Sequence, residues 1–72
     1  MKRKMSTISF GTRVMVRTAQ GQLVPRRALT AIVSGSDFPV VWVCRDEVWR
    51  EGMGVQDEGA VPWPADAVLA VP

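Results

Sequence analysis

The sequence contains no histidine and no tyrosine in its 72 residues, and Cys44 is its single cysteine. Without histidine, the chain cannot supply an imidazole as a general base or as a metal ligand. One cysteine cannot form an internal disulfide, and small secreted domains usually contain several cysteines. These absences argue against most enzyme chemistry and favour a reducing, cytoplasmic location.

Other elements of catalytic or membrane proteins are missing as well. No apolar run approaches the ~20 residues that span a bilayer, and polar residues follow the basic start where a secretory leader would be apolar. The carboxylate pairs Asp46-Glu47 and Asp57-Glu58 are adjacent in sequence, so their side chains do not face each other on a strand or a helix. Gly52-Met53-Gly54 lacks the rest of a phosphate-binding motif. We predict no catalytic residues, no cofactor, no metal and no membrane segment.

The composition is that of a small folded domain. Hydrophobic residues make up 47% of the chain, more than disordered segments contain. A core of this size supplies only about 3–5 kcal/mol of net stability. We predict a flexible basic tail over residues 1–10 and one domain over residues 11–72. Met5 is an alternative start that would make the basic tail optional.

Charge is divided unevenly along the chain. Residues 1–36 contain seven Lys and Arg and no acid, whereas residues 37–72 contain seven acids and two Arg, giving +7 and −5. Such asymmetry can steer association with a charged partner, or the charges can pair within the fold or across a homo-oligomer. Without Lys2, Arg3 and Lys4 the net charge falls from +2 to −1, so the domain itself is not basic.

Two segments have clear strand patterns. In "TRVMVRT" (12–18), Val14 and Val16 share one face and Arg13 and Arg17 the other, which predicts a half-buried strand. "VVWVCR" (40–45) is apolar up to its last residue and rich in β-branched and aromatic residues, which predicts a strand that is either covered on both faces or exposes an aromatic side chain for binding.

Residues 25–34 allow two interpretations. One is a helix over 26–33 with Pro25 near its first turn, and the other is a strand over 27–34 that follows an irregular segment. The run Ala31-Ile32-Val33 and the closing Gly35 favour the strand. Farther along, residues 46–52 suit a short helical turn with Asp46 as its cap.

The chain ends with a proline corner. Pro62 and Pro64 each lack an N–H, so the segment cannot lie inside a sheet, and they hold Trp63 in an extended conformation. Residues 64–67 fit a single 3₁₀ or helical turn and residues 68–71 a last short strand. Together, the segments predict an all-β protein: a five-stranded small barrel.

"GTRVMV" (11–16) and "VPWPADAVLAV" (61–71) resemble the opening strand and the closing turn and strand of SH3-like small barrels. The resemblance covers residues 11–71 and implies that barrel fold. The sequence departs from peptide-binding SH3 domains because it has no tyrosine-rich groove, a lone Trp42 in place of a tryptophan pair, and acids mainly after the third strand. Recognition of proline-rich peptides is therefore not implied.

"VVWVC" and "VPWPADAV" are also similar to segments of short actinobacteriophage proteins of unknown function. This resemblance implies a phage-encoded accessory protein in the host cytoplasm, and it implies no activity.

Large aromatic and arginine side chains are the best candidates for a binding surface, because they dominate interface hot spots. The candidate partner-binding residues are Trp42, Trp49, Trp63, Pro62, Pro64, Arg26 and Arg27. The function predicted from them is a non-enzymatic protein-interaction module such as an adaptor or inhibitor. The alternative is a small nucleic-acid-binding barrel that uses the basic N-terminal half. A third interpretation, an oligomeric enzyme with its active site between copies, has the least support.

Overall fold

A computed structural model describes residues 8–71, which form five antiparallel strands and almost no helix. The strands are β1 (Arg13–Arg17), β2 (Leu23–Ala28), β3 (Val40–Cys44), β4 (Val61–Pro64) and β5 (Val68–Ala70), with a 3₁₀ turn at Ala65–Ala67. They make one sheet in the order β4-β3-β2-β1-β5. The predicted all-β class and the five strands are confirmed.

The β1–β2 hairpin follows from alternation and one glycine. Val14 and Val16 are buried while Arg13 and Arg17 are exposed, as the period of two predicts. Gly21 has a φ of 86°, a left-handed conformation that a residue with a Cβ rarely adopts. Its N–H donates to the Thr18 carbonyl oxygen over 2.9 Å, and this bond closes the turn.

The predicted bounds of the second strand were wrong, because β2 covers Leu23–Ala28 and includes Pro25. The Ala28 N–H donates to the Thr12 carbonyl oxygen over 2.8 Å. By alternation, the even-numbered residues of β2 direct their backbone groups toward β1, and Pro25 directs its backbone away from β1, toward the side of β3. On that side, β3 pairs with β2 only at Arg27 and Ala28. The missing N–H of Pro25 therefore breaks no ladder bond. After Ala28 the chain forms neither the predicted strand nor the helix, apart from a bridge at Val33.

The main core consists of small side chains from four of the strands. Its buried members are Val14, Val16, Ala28, Val41, Val43 and Val68. Val41 and Val43 face this core, while Trp42 and Cys44 on β3 face a second cluster. The second cluster contains Leu29, Cys44 and Met53, with Trp42, Trp49 and Ala60 packed against it. Both faces of β3 are covered, as its continuous apolar sequence predicts.

The segment between β3 and β4 covers the second cluster without forming a helix. The Val48 and Trp49 N–H groups both donate to the Arg45 carbonyl oxygen, over 3.0 and 3.2 Å. The predicted helical turn at residues 46–52 is therefore replaced by hydrogen-bonded turns. Asp46 makes no helix cap, because its carboxylate contacts Arg27 at 2.8 Å.

The proline corner forms the edge strand β4, as expected for a segment that cannot lie inside a sheet. Val40 exchanges both of its backbone hydrogen bonds with Val33, over 2.8 and 2.9 Å, so it directs them away from β4. Pro64 stands opposite Val40, and Pro62 stands opposite Trp42. By the alternation of an antiparallel ladder, both prolines turn their backbone toward the open edge. Since proline has no N–H, these two positions offer no donor to another strand.

Trp63 lies between the two prolines and faces the opposite side of β4. Its ring packs against the main core, and its Nε1–H donates to the Arg17 carbonyl oxygen over 3.1 Å. Strands β4 and β1 are separated in the sheet by β3 and β2. The indole therefore joins two non-neighbouring strands, which requires the sheet to curl around its valine core.

The predicted tail, residues 1–10, lies mainly outside the described residues. Of its last three residues, Ile8 packs against the main core and Phe10 packs on Trp49, with ring centroids 5.3 Å apart. Packing contacts of the described chain therefore begin at Ile8.

The contact of Trp63 with the core and Arg17 predicts a large effect on stability. Trp63→Phe removes the N–H donor and some volume, and should lower the free energy of unfolding by about 1–2 kcal/mol. Trp63→Ala should lower it by about 3 kcal/mol or more, which is most of what a core of this size supplies. Urea unfolding followed by circular dichroism measures both, and unchanged midpoints would show that the indole does not hold the sheet together.

The donor-free edge of β4 predicts that restoring two N–H groups promotes self-association. The double variant Pro62→Val/Pro64→Val should form oligomers as its concentration rises, because the edge could then pair with another strand. Analytical ultracentrifugation measures this against the wild type. Val61→Thr, which changes the same strand without adding a backbone N–H, is the control. A double variant that sediments like the wild type at every concentration would contradict this function of the prolines.

Candidate functional site

The loop between β2 and β3 exposes two large apolar side chains outside both cores. Ile32 is 57% exposed and Phe38 is 52% exposed, the highest values among the large hydrophobic residues. They lie beside the face of β3 and β4 that points away from the main core. On this face, Val40 is opposite Pro64 and Trp42 is opposite Pro62. We call this region the Phe38 surface; it comprises Ile32, Phe38, Pro39, Trp42, Pro62 and Pro64.

Two depressions meet at Phe38. The first, of about 530 Å³, is lined by Ser34, Gly35, Ser36, Asp37, Phe38, Val40, Trp42, Pro62 and Pro64. The second, of about 600 Å³, is lined by Ile32, Phe38, Pro39, Pro64, Ala65 and Asp66. Phe38 and Pro64 line both, so a single bound segment can contact both depressions.

Backbone contacts hold the loop that carries Phe38. The bridge between Val33 and Val40 closes its base, and the Ala65 N–H donates to the Pro39 carbonyl oxygen over 2.9 Å. At its tip, a Cβ on Gly35 would lie 2.4 Å from the Phe38 carbonyl oxygen. Glycine is therefore required where the chain folds back on itself, and the loop presents Phe38 from a fixed base.

The Phe38 surface carries negative charge. Asp37 lines the first depression and Asp66 the second, and no basic residue lines either one. Within residues 8–71, the two ion pairs are Arg27–Asp46 and Arg45–Glu47, so neither carboxylate of the surface is neutralised by a described residue. Both are exposed and available to a ligand.

The structure brings together three of the seven candidate binding residues predicted from the sequence. Trp42, Pro62 and Pro64 belong to the Phe38 surface. Trp63 points to the main core from the opposite face of β4. The remaining three, Trp49, Arg26 and Arg27, line neither depression.

Arg27 and Trp49 form a separate cluster. The Arg27 Cζ lies 4.4 Å from the Trp49 ring centroid, and the Arg27 Nε donates to the Asp46 carboxylate over 2.8 Å. A cation over an indole face is attracted to it, so the guanidinium has internal partners on two sides. Arg26 is half-buried and donates to the Pro25 carbonyl oxygen over 2.6 Å. The Trp49 Nε1 is buried with no hydrogen-bond partner among the described residues.

Cys44 is a core residue. Its thiol is buried and lies 3.9 Å from the Met53 sulfur. Burial raises the pKa of the Cys44 thiol, and the nearby Arg27 only partly opposes this effect. A raised pKa leaves less of the nucleophilic thiolate at neutral pH. Between residues 8 and 71, no three His, Cys, Asp or Glu residues are grouped so as to hold a metal ion.

Sequence reasoning missed the residues that expose the most apolar area and the two carboxylates beside them. Ile32 was expected in a strand, and Asp37, Phe38 and Asp66 were not among the candidate binding residues. One signal was present: Phe38 is an aromatic residue inside an otherwise polar turn, where it has no strand face to bury. Its proximity to Pro64 and Asp66 depends on long-range packing.

No known protein family, curated protein or solved structure matches this chain. Among the described residues, no helix is both long enough and apolar enough to cross a membrane.

The environment of Cys44 predicts slow reaction with thiol reagents. Ellman's reagent at neutral pH should label the native protein at least about 100-fold more slowly than the protein unfolded in guanidinium, because burial limits both access and thiolate formation. Labelling of the native form should accelerate as the pH rises, since the thiolate fraction grows. Equal rates for native and unfolded protein would place the thiol at the surface.

Proposed function

We propose that this protein is a non-enzymatic protein-interaction module that binds its partner through the Phe38 surface. The single observation that carries the proposal is the pair of depressions around an aromatic side chain that is 52% exposed. Exposed apolar patches rimmed by polar residues are typical of interaction sites. The buried thiol of Cys44 and the absence of histidine support a binding function over catalysis.

The surface is built as an interface hot spot would be. Trp42 and Pro62 are opposed across β3 and β4, so their positions are set by the sheet. Phe38 is set by the loop that Val33 and Val40 close. Groups held in place before binding lose little conformational entropy when a partner arrives.

We also propose that the sheet forms a small SH3-like barrel, as the resemblance of residues 11–71 implies. Support comes from the 3₁₀ turn before the last strand and from the Trp63 hydrogen bond that joins β4 to β1 across the core. In the same proposal, the resemblance to short actinobacteriophage proteins makes the chain a phage-encoded adaptor or inhibitor in the host cytoplasm.

The alternative function, nucleic-acid binding, rests on a different face. Arg13 and Arg17 are both exposed on the same side of β1, and arginines on a strand can contact phosphates. Arg27, which stands opposite Arg13 in the ladder, is already paired with Asp46. We therefore favour protein binding, and anisotropy with labelled DNA at low salt, using the wild type and Arg13→Ala/Arg17→Ala, separates the two functions.

The proposed function predicts that Phe38→Ala removes partner binding without unfolding the domain. Because Phe38 lies outside both cores, the midpoint of urea unfolding of the variant should stay close to that of the wild type. Capture of a cross-linked partner from an actinobacterial host lysate should fall roughly 30-fold, the effect of losing a hot spot of about 2 kcal/mol.

Leu69→Ala is the matched control, since Leu69 is 47% exposed but lies on β5 and lines neither depression. It should capture the same partner as the wild type. Capture that survives Phe38→Ala, or that is lost equally in both variants, would refute binding through this surface.

A further inference from the structure

The charges and hydrogen-bonding groups of the Phe38 surface indicate what it binds. We infer that this surface takes a partner segment that carries an apolar side chain beside a lysine or arginine, and holds it through side chains without pairing it as a strand. The inference rests on the proposed function and adds the chemistry of the partner.

Charge complementarity is the first argument. Each depression has one carboxylate, Asp37 in the first and Asp66 in the second, and neither has a basic residue. The described residues give these two acids no ion pair. An acidic segment would be repelled at both positions, whereas a lysine or arginine seated beside Phe38 can contact a carboxylate.

The backbone edge beside the depressions is the second argument, and it is independent of charge. Pro62 and Pro64 turn their backbone toward the open edge, as the hydrogen bonds of Val40 to Val33 require. Those positions have no N–H, so an extended peptide cannot form the alternating ladder of strand addition there. The outward carbonyl oxygen of Pro62 can only accept a hydrogen bond.

The partner must therefore supply the donors. A lysine has three N–H donors and an arginine has five, and neither accepts a hydrogen bond. Such a side chain matches the carboxylates and the Pro62 carbonyl, while an adjacent aliphatic or aromatic side chain matches the apolar walls formed by Phe38, Trp42 and Pro64. Two depressions on either side of Phe38 suit two side chains from one short segment.

A peptide selection tests this inference. A phage library of random dodecapeptides is selected on the immobilised full-length protein, and fluorescence anisotropy then measures the affinity of the most enriched peptide. We expect lysine or arginine to be enriched next to leucine, methionine or phenylalanine. Affinity should fall at least tenfold in Phe38→Ala and at least fivefold in Asp37→Asn/Asp66→Asn.

Glu51→Gln/Glu58→Gln is the control, because it changes the net charge equally at two exposed positions that line neither depression. It should leave the affinity within twofold of the wild type. Raising the salt concentration should weaken the wild type and have little effect on Asp37→Asn/Asp66→Asn. Circular dichroism of each variant checks that the domain remains folded.

The outcomes separate the two levels of the proposal. Binding that depends on Phe38 but is unaffected by Asp37→Asn/Asp66→Asn would overturn the basic partner and leave the Phe38 surface as the binding site. A selection that yields only peptides insensitive to Phe38→Ala, or none, would overturn both. If Lys2→Ala/Arg3→Ala/Lys4→Ala bound the peptide more than tenfold tighter, the chain's own N-terminal segment would be the occupant, and the inference of a separate partner would fall.

Discussion

The hydrogen bond from the Trp63 indole to the Arg17 carbonyl oxygen is the contact on which the shape of the sheet depends. The main core contains only valines and one alanine among its buried residues, and such side chains cover little area each. The large ring of Trp63 packs over them. It extends from β4 and is hydrogen-bonded to Arg17 of β1, so it brings the edge strand and β1 together. Without this contact, the short sheet would have little to curl around.

One short segment, Pro62-Trp63-Pro64, both packs on the main core and contributes to the proposed binding surface. Alternation along β4 sends Trp63 to the core and Pro62 and Pro64 to the opposite face. The prolines line the depressions around Phe38 and leave the strand edge without donors. The packing of the core, the donor-free edge and the proposed recognition surface thus involve one short segment, and they are distributed over its two faces.

The sequence patterns predicted those features that local chemistry determines. Alternation identified β1, the β-branched run identified β3, and the missing N–H groups excluded residues 62–64 from the interior of the sheet. The bounds of β2 were missed because a proline inside a strand is acceptable only where the neighbouring strand has ended, which depends on how far β3 extends. Trp63 was a candidate binding residue but packs on the main core, because the direction of a strand side chain depends on ladder register. The Phe38 surface combines residues from three separate parts of the chain, residues 32–39, Trp42 and residues 62–64, so no local pattern indicates it.

The loop between Val33 and Val40 contributes no side chain to either buried cluster, although it supplies Phe38 to the proposed binding surface. Its geometry depends on the bridge at its base and on Gly35 at its tip. Residues 36–38 are therefore free to change in sequence without disturbing the valine core. Under the proposed function, exchanging these residues would alter which partner is recognised and leave the five-stranded sheet unchanged.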